Sequence, residues 1–220
     1  MRKIMQTLSI LSVLVVMGTG CTSFPRHRLP EIGQLAPPAD PSKLVEASYT
    51  CTSGAEIYKG QRQEFQPQAK QQIEQVFIDT LKEAGYFTAV RPGQGGGIQL
   101  DADLLNYGSR GAATAAGIIG GLSLTAIPCW ATDNYKLKVI VTTSQGIKKE
   151  YILDDAATTV IWLPLIVATP FRDTEKVAPD VWKNMYKTLI LKMQKDGILP
   201  AARKEIQTSY LINVEFVLFA

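Results

Sequence analysis

After Arg110 the chain runs for 21 residues without a charge, GAATAAGIIGGLSLTAIPCWA (111–131), and the next charge is Asp133. Any fold must wrap such a segment, pass it through a bilayer or lay it on one. As a helix it would reach roughly 30 Å, the thickness of a bilayer's hydrocarbon. Length allows a span, but composition argues for less. Small and hydroxyl residues fill most of the run, and its strongly apolar side chains are Ile118, Ile119, Leu122, Leu124, Ile127 and Trp130. Ala113, Gly117 and Gly121 recur at every fourth position, a face that lets a second helix approach closely. A second uncharged run, AATTVIWLPLIVATPF (156–171), has 16 residues with Pro164 in its middle and is short for a straight span.

What lies between the two runs decides how they can be used. Tyr135, Leu137, Val139 and Val141 alternate with Lys136, Lys138 and Thr142, which reads as a half-buried strand. Ser144-Gln145-Gly146 then turns the chain into KKEYILDD, completing a β-hairpin. The first insert enters this hairpin near Asp133 and the second leaves it near Asp155. Those points are neighbours in an antiparallel pair, so both inserts leave the same end. A full crossing by both would leave the hairpin alone in water, where two strands are marginal. Two readings stand level. In one, the inserts dip into a lipid surface or dock on a membrane-bound partner, with Trp130 and Trp162 at the polar–apolar boundary. In the other they cover the second face of the sheet as ordinary core. A transmembrane hairpin fits least well.

The remaining periodicities predict an α+β domain over 43–220, with a mostly antiparallel sheet covered by two amphipathic helices. LVEASYTC alternates as a strand, and so do Ile98, Leu100, Ala102 and Leu104 against Gln99, Asp101 and Asp103. Tyr86 to Val90 reads as a short strand. A helix is predicted from Pro67, with Ala69, Ile73, Val76, Phe77, Leu81 and Ala84 on one stripe and Gly85 at its end. A second runs from Asp180 to Lys195, with Trp182, Met185, Tyr186, Leu189 and Met193 inward. YLINVEFVLF is β-branched and aromatic enough for a terminal strand. Residues 22–42 hold five prolines and no apolar period, which predicts a tether of polyproline II character between residue 21 and the domain.

The N-terminal segment 1–20 places the chain. Arg2 and Lys3 precede the apolar run ILSVLVVM, and the stretch from Ile4 to Met17 is too short for a permanent span, so it reads as a secretory leader. Gly18-Thr19-Gly20-Cys21 resembles the lipobox of bacterial lipoproteins, although Gly18 stands where that family usually has leucine. The resemblance implies cleavage before Cys21, a diacylated sulfur on Cys21 and an acylated amine. Thr22, in place of aspartate, implies delivery to the periplasmic face of the outer membrane. The competing reading is an ordinary leader cut near Gly20, which releases a soluble periplasmic protein. The chain is also similar to cell-envelope lipoproteins in which an α+β domain carries a Gly-rich apolar insert before a strand that begins with an acidic residue, here Asp133. That likeness covers about residues 44–198.

Chemistry is sparse. The chain carries a formal charge of +3, of which Arg2 and Lys3 leave with the leader, so nucleic acid is not expected as a partner. The single histidine, His27, sits in the Pro-rich segment and cannot build a His-rich zinc site. The glycines at 93 and 95–97 lack the Gly-Lys-Ser/Thr of a phosphate loop. Asp101, Asp103 and Asp133 would form a site only by converging, and Asp154 and Asp155 point to opposite faces of a strand. Cys51 and Cys129 either bridge in an oxidising periplasm or stay as buried thiols. The expectation is a non-enzymatic, lipid-anchored envelope protein with no cofactor beyond its lipid, acting on an envelope partner. A pore or secretion-channel subunit, self-associating through Ala113, Gly117 and Gly121, is the second reading, and a periplasmic enzyme the third.

Overall fold

The computed structural model describes residues 21–56, 60–108, 127–162, 164–165 and 174–203. Its strands are β1 (Cys21–Pro25), β2 (Val45–Glu56), β3 (Arg62–Glu64), β4 (Phe87–Pro92), β5 (Ile98–Asn106), β6 (Cys129–Thr143) and β7 (Lys148–Ile161). Helix α1 (Pro67–Glu83) joins β3 to β4, and α2 (Thr174–Lys195) follows β7. The sheet order is β1-β7-β6-β5-β2-β3, with β4 paired to β2. Four pairings are antiparallel; β2 runs parallel to both β4 and β5. The expected α+β class, with a mostly antiparallel sheet under two helices, is what forms.

Each element follows from its local sequence. Pro67 opens α1 in its first turn, where a missing N–H costs nothing. Gly85 closes it at φ +72°, a conformation that a β-carbon would strain. One face of the sheet receives both helices. Ala47, Tyr49, Leu100, Ala102, Leu104, Leu137, Val139, Val141 and Leu153 meet Ile73, Phe77 and Leu81 of α1 and Met185, Tyr186, Leu189, Ile190 and Met193 of α2, all buried. Phe77 is the hub, edge-on to Tyr49 at 5.9 Å and to Tyr186 at 4.9 Å between ring centroids. Tyr135 meets Trp182 in the same manner at 5.7 Å.

The opposite face carries Gln99, Asp101, Asp103, Lys136, Lys138 and Glu150. It is laced by a Lys138–Glu150 ion pair at 3.2 Å and by Arg62, whose two Nη atoms donate to Asp103 at 2.7 and 2.5 Å. Partial burial works to raise the Asp103 carboxyl, but hydrogen bonds from Arg62 and Thr52 outweigh it and hold the group below its ordinary value. A carboxyl lowered by folding adds stability that is fully present above its unfolded value of about 3.9 and fades as pH falls through the folded value. Asp103→Asn is therefore expected to unfold more easily than wild type at pH 7, by no more than about 1 kcal/mol for so exposed a pair. The difference should shrink as pH falls through the folded value of the Asp103 carboxyl, which urea titrations at several pH values would check.

Three expectations need correction. The segment expected to be a tether is part of the fold. Cys21–Pro25 pairs with Ala157–Ile161 as the edge strand β1. Beyond it Arg26 N–H donates to Ala156 O at 2.8 Å, Arg28 N–H to Asp155 Oδ1 at 3.1 Å, and Tyr86 O–H to Ala36 O at 2.5 Å. Asn184 of α2 holds Ile32 N–H at 2.8 Å and Pro30 O at 3.1 Å, while Lys187 donates to Gly33 O at 2.6 Å. Proline-rich sequence has no period to read, and every one of these partners is far away in the chain. Asn184→Ala is expected to cost about 1–2 kcal/mol and to speed amide exchange at Ile32 ahead of the sheet.

The inserts are also shorter than expected. Cys129, Trp130 and Ala131 already belong to β6, and Ala156–Ile161 still belong to β7, since small and β-branched residues extend a strand as readily as they enter a lipid surface. Lastly, α2 starts at Thr174, before the expected Asp180, and tolerates Pro179 near its start. The stretch with Ala113, Gly117 and Gly121, residues 163 and 166–171 of the second insert, and the terminal YLINVEFVLF lie outside the described residues.

Candidate functional site

The two inserts were expected to leave one end of the hairpin, and their described flanks do so: Cys129, where β6 begins, faces Ile161, where β7 ends. Cys21 faces the other side of the same Ile161. Three strands therefore present Cys21, Ile161 and Cys129 in one row, and Thr22, Val160 and Trp130 in the next. Trp130 is 64% exposed, Ile127 55% and Trp162 38%. The other large exposed apolar side chains, Ile147, Ile152 and Leu191, are scattered singly over the turn, the open sheet face and α2. Among the described residues, this end alone gathers them.

Behind this apolar rim lies a band of paired hydroxyls. Ser23 and Thr159 share a hydrogen bond at 2.9 Å, as do Thr132 and Thr158. Sequence reasoning missed the band because Ser23 joins it from 136 positions away in the chain. The first charges beyond it are Asp133 on β6, Asp155 on β7 and Arg26 after β1. Burial pushes the Cys21 thiol above its ordinary value.

The other residues singled out in the sequence are not brought together. Asp101 and Asp103 sit on the open face, where Thr50 donates to Asp101 at 2.7 Å. Asp133 shares the helix-side face with Tyr135 and accepts from Asn106 at 2.9 Å. These three cannot converge, and among the described residues no group of acids, histidines and cysteines is arranged to hold a metal. Cys51 and Cys129 are both free thiols. Cys51 is in register with Ala102 and through it with Val139. Val139 is about 33 Å along β6 from Cys129 at about 3.3 Å per residue, so a bridge has no geometry. Burial first, then the nearby carboxylates of Glu74 and Asp103, push the Cys51 thiol up to about 12, which keeps it protonated and inert.

A cavity of about 310 Å³ opens where the wrapped N-terminal segment crosses α2, lined by His27, Glu31, Asp155, Asp180, Lys183 and Lys187 among others. Its lysines are engaged elsewhere, Lys183 with Glu83 at 2.7 Å and Lys187 with the carbonyls of Ile32 and Gly33. Asp155, 2% exposed, uses Oδ1 to hold the N–H groups of Arg28 and Ala156. The cavity is a seam that pins the chain, with Asp155, Asn184 and Lys187 turned to the backbone. Among the described residues no helix is long and apolar enough to cross a membrane.

No family model matches the sequence. No curated protein matches it either. Among solved structures the chain is similar to the crystal structure of protein XCC0632 from Xanthomonas campestris, of family DUF330, at 12% identity and a TM-score of 0.38, over 76% of this chain and 97% of that one. It is also similar to PelC dodecamers from Paraburkholderia phytofirmans in two space groups. Their identities are 13% and 11% and their TM-scores 0.27 and 0.25, over 73% of this chain and 97% of theirs. Likeness at this level does not carry a function from one chain to another.

Proposed function

We propose that this chain is a bacterial lipoprotein, acylated on Cys21 and held at the periplasmic face of the outer membrane, where it acts by binding an envelope partner and not by catalysis. The observation that supports this best is the place of Cys21. The residue that closes the lipobox-like Gly18-Thr19-Gly20-Cys21 is also the first residue of an edge strand, at the sheet end where Ile127, Trp130 and Trp162 are exposed. An acyl chain on that sulfur would leave the domain directly beside the apolar rim. The engaged donors of the cavity and the divergent aspartates support a binding role over an enzymatic one.

Mass spectrometry of the protein purified from membranes of its native host tests the reading. The expected mass is that of a chain beginning at Cys21 and carrying a diacylglyceryl group, with or without a third acyl chain on the amine. An unmodified sulfur on a freely diffusing chain would sink it.

A further inference from the structure

Among the described residues, three features have no role in the core: the seam cavity beneath Asp155, the polar open face of the sheet, and the β1-β7-β6 end. In the cavity Asp155, Asn184 and Lys187 are spent on backbone and Lys183 on Glu83, and nothing on the open face commits it to one occupant. The sheet end carries an inference through.

We infer that the end of the sheet formed by Cys21, Trp130, Ile161 and Trp162 is a bilayer-contacting surface, with both indoles seated at the lipid–water boundary and the strands rising away from the membrane. The inference rests on the proposed acylation of Cys21 and adds an orientation to it. Two independent features carry it. The first is the absence of a spacer. Cys21 is locked in register with Ile161, and the segment after it is bonded to Ala156, Asp155 and Asn184, so the domain cannot stand off from its own lipid while β1 is paired. A bilayer that accepts acyl chains from Cys21 must meet the residues beside it, and Trp130 lies two strands away in the adjoining row.

The second feature is the charge pattern. Cys21–Pro25, Cys129–Thr132 and Ala156–Ile161 contain no ionisable group apart from the cysteines. Four residues of strand make a band about 13 Å deep, enough to cross an interface in which apolar groups bury by about 5–10 Å. Within that band polarity grades from exposed indole and aliphatic groups to hydroxyls bonded to one another, and charges begin only beyond it. Indoles favour the headgroup level, and the Ser23–Thr159 and Thr132–Thr158 pairs avoid the cost of unpaired polar atoms in a drying environment, while the Thr22 hydroxyl is already shielded from water at 1% exposure. The far end of the same hairpin bears Lys148, Lys149 and Glu150 and suits water.

The test uses the full acylated protein, purified in mild detergent and reconstituted into phosphatidylethanolamine–phosphatidylglycerol vesicles containing lipids brominated near the headgroup end of the chain. Trp182 is buried beneath the sheet and serves as the internal reference. In Trp162→Phe and Trp130→Phe variants the remaining surface indole is expected to lose emission to the brominated lipid and to shift to the blue on reconstitution. The double variant, reporting Trp182 alone, is expected to show neither change. Phenylalanine keeps an aromatic ring at each position, and far-ultraviolet circular dichroism of each variant is expected to match wild type. Mass spectrometry of the same preparation separates the two claims. Unquenched Trp130 and Trp162 in a chain that carries lipid on Cys21 overturn this orientation and leave the lipoprotein reading standing; a chain without lipid overturns both.

Discussion

Replacing Phe77 by alanine is expected to destabilise the domain by about 3–5 kcal/mol, the range for a large aromatic removed from a packed core. Phe77 is 0% exposed and stands where α1, α2 and the sheet meet, edge-on to Tyr49 and Tyr186. Two such ring pairs contribute about 0.5–1.5 kcal/mol each beyond the area they bury, and both are lost together. Neither helix can close the gap alone, because each is held to the sheet by further side chains on the same stripe, Ile73 and Leu81 on α1 and Met185 and Leu189 on α2. Against a total stability of about 5–15 kcal/mol for a domain, the loss leaves a marginal fold. Urea unfolding followed by far-ultraviolet circular dichroism measures it. Tyr186→Phe is the matched control. Its hydroxyl is buried without a hydrogen-bond partner among the described residues, so its removal is expected to be neutral or slightly stabilising. A Phe77→Ala variant as stable as Tyr186→Phe would mean that the core is not assembled around this ring.

The second large effect concerns location. With an ordinary cleavable leader in place of residues 1–20, Cys21→Ala is expected to move the protein from the outer-membrane fraction to the soluble periplasm. Each methylene in lipid contributes about 0.8 kcal/mol, so two or three acyl chains hold a protein almost permanently, whereas a few interfacial side chains do not. The same substitution should barely change stability. Cys21 is only half-buried, and alanine keeps the backbone pairing of β1 with β7, so the unfolding midpoint should move by less than about 1 kcal/mol. The two readouts together separate a lost anchor from a lost fold. Retention of the alanine protein in the outer membrane at the wild-type level would show that something other than a lipid on Cys21 holds it there.

Much of this architecture is written in local patterns. The helical stripes of Ile73, Phe77 and Leu81 and of Trp182, Met185 and Leu189 face the core as their spacing requires, and the alternating strands at 98–106 and 135–141 bury the expected rows. The shared exit of the two inserts was also legible, since antiparallel pairing alone makes the ends of a hairpin neighbours. Strand ends were less so. Cys129–Ala131 and Ala156–Ile161 looked continuous with the uncharged runs, because uncharged strand and uncharged insert have the same composition. Arg62–Glu64 had no signal at all: three polar residues form a strand there only because the edge of β2 offers them partners, and Gly54, whose β-carbon would lie 2.7 Å from Gln63 O, lets that edge approach.

By itself, the sequence determined what repeats over short distances: which faces are apolar, where helices stop, how the hairpin turns, and that a leader-like segment ends on a cysteine. Tertiary structure alone decided that Cys21 begins a strand and that the prolines after it lie pinned across α2. Those bonds join residues more than a hundred positions apart, and no period of 2 or 3.6 can register a partner at that distance. The same long-range pairing draws Cys21, Trp130 and Trp162 to one end of the sheet, because only a strand's neighbours, and not its own residues, set where its end comes to lie.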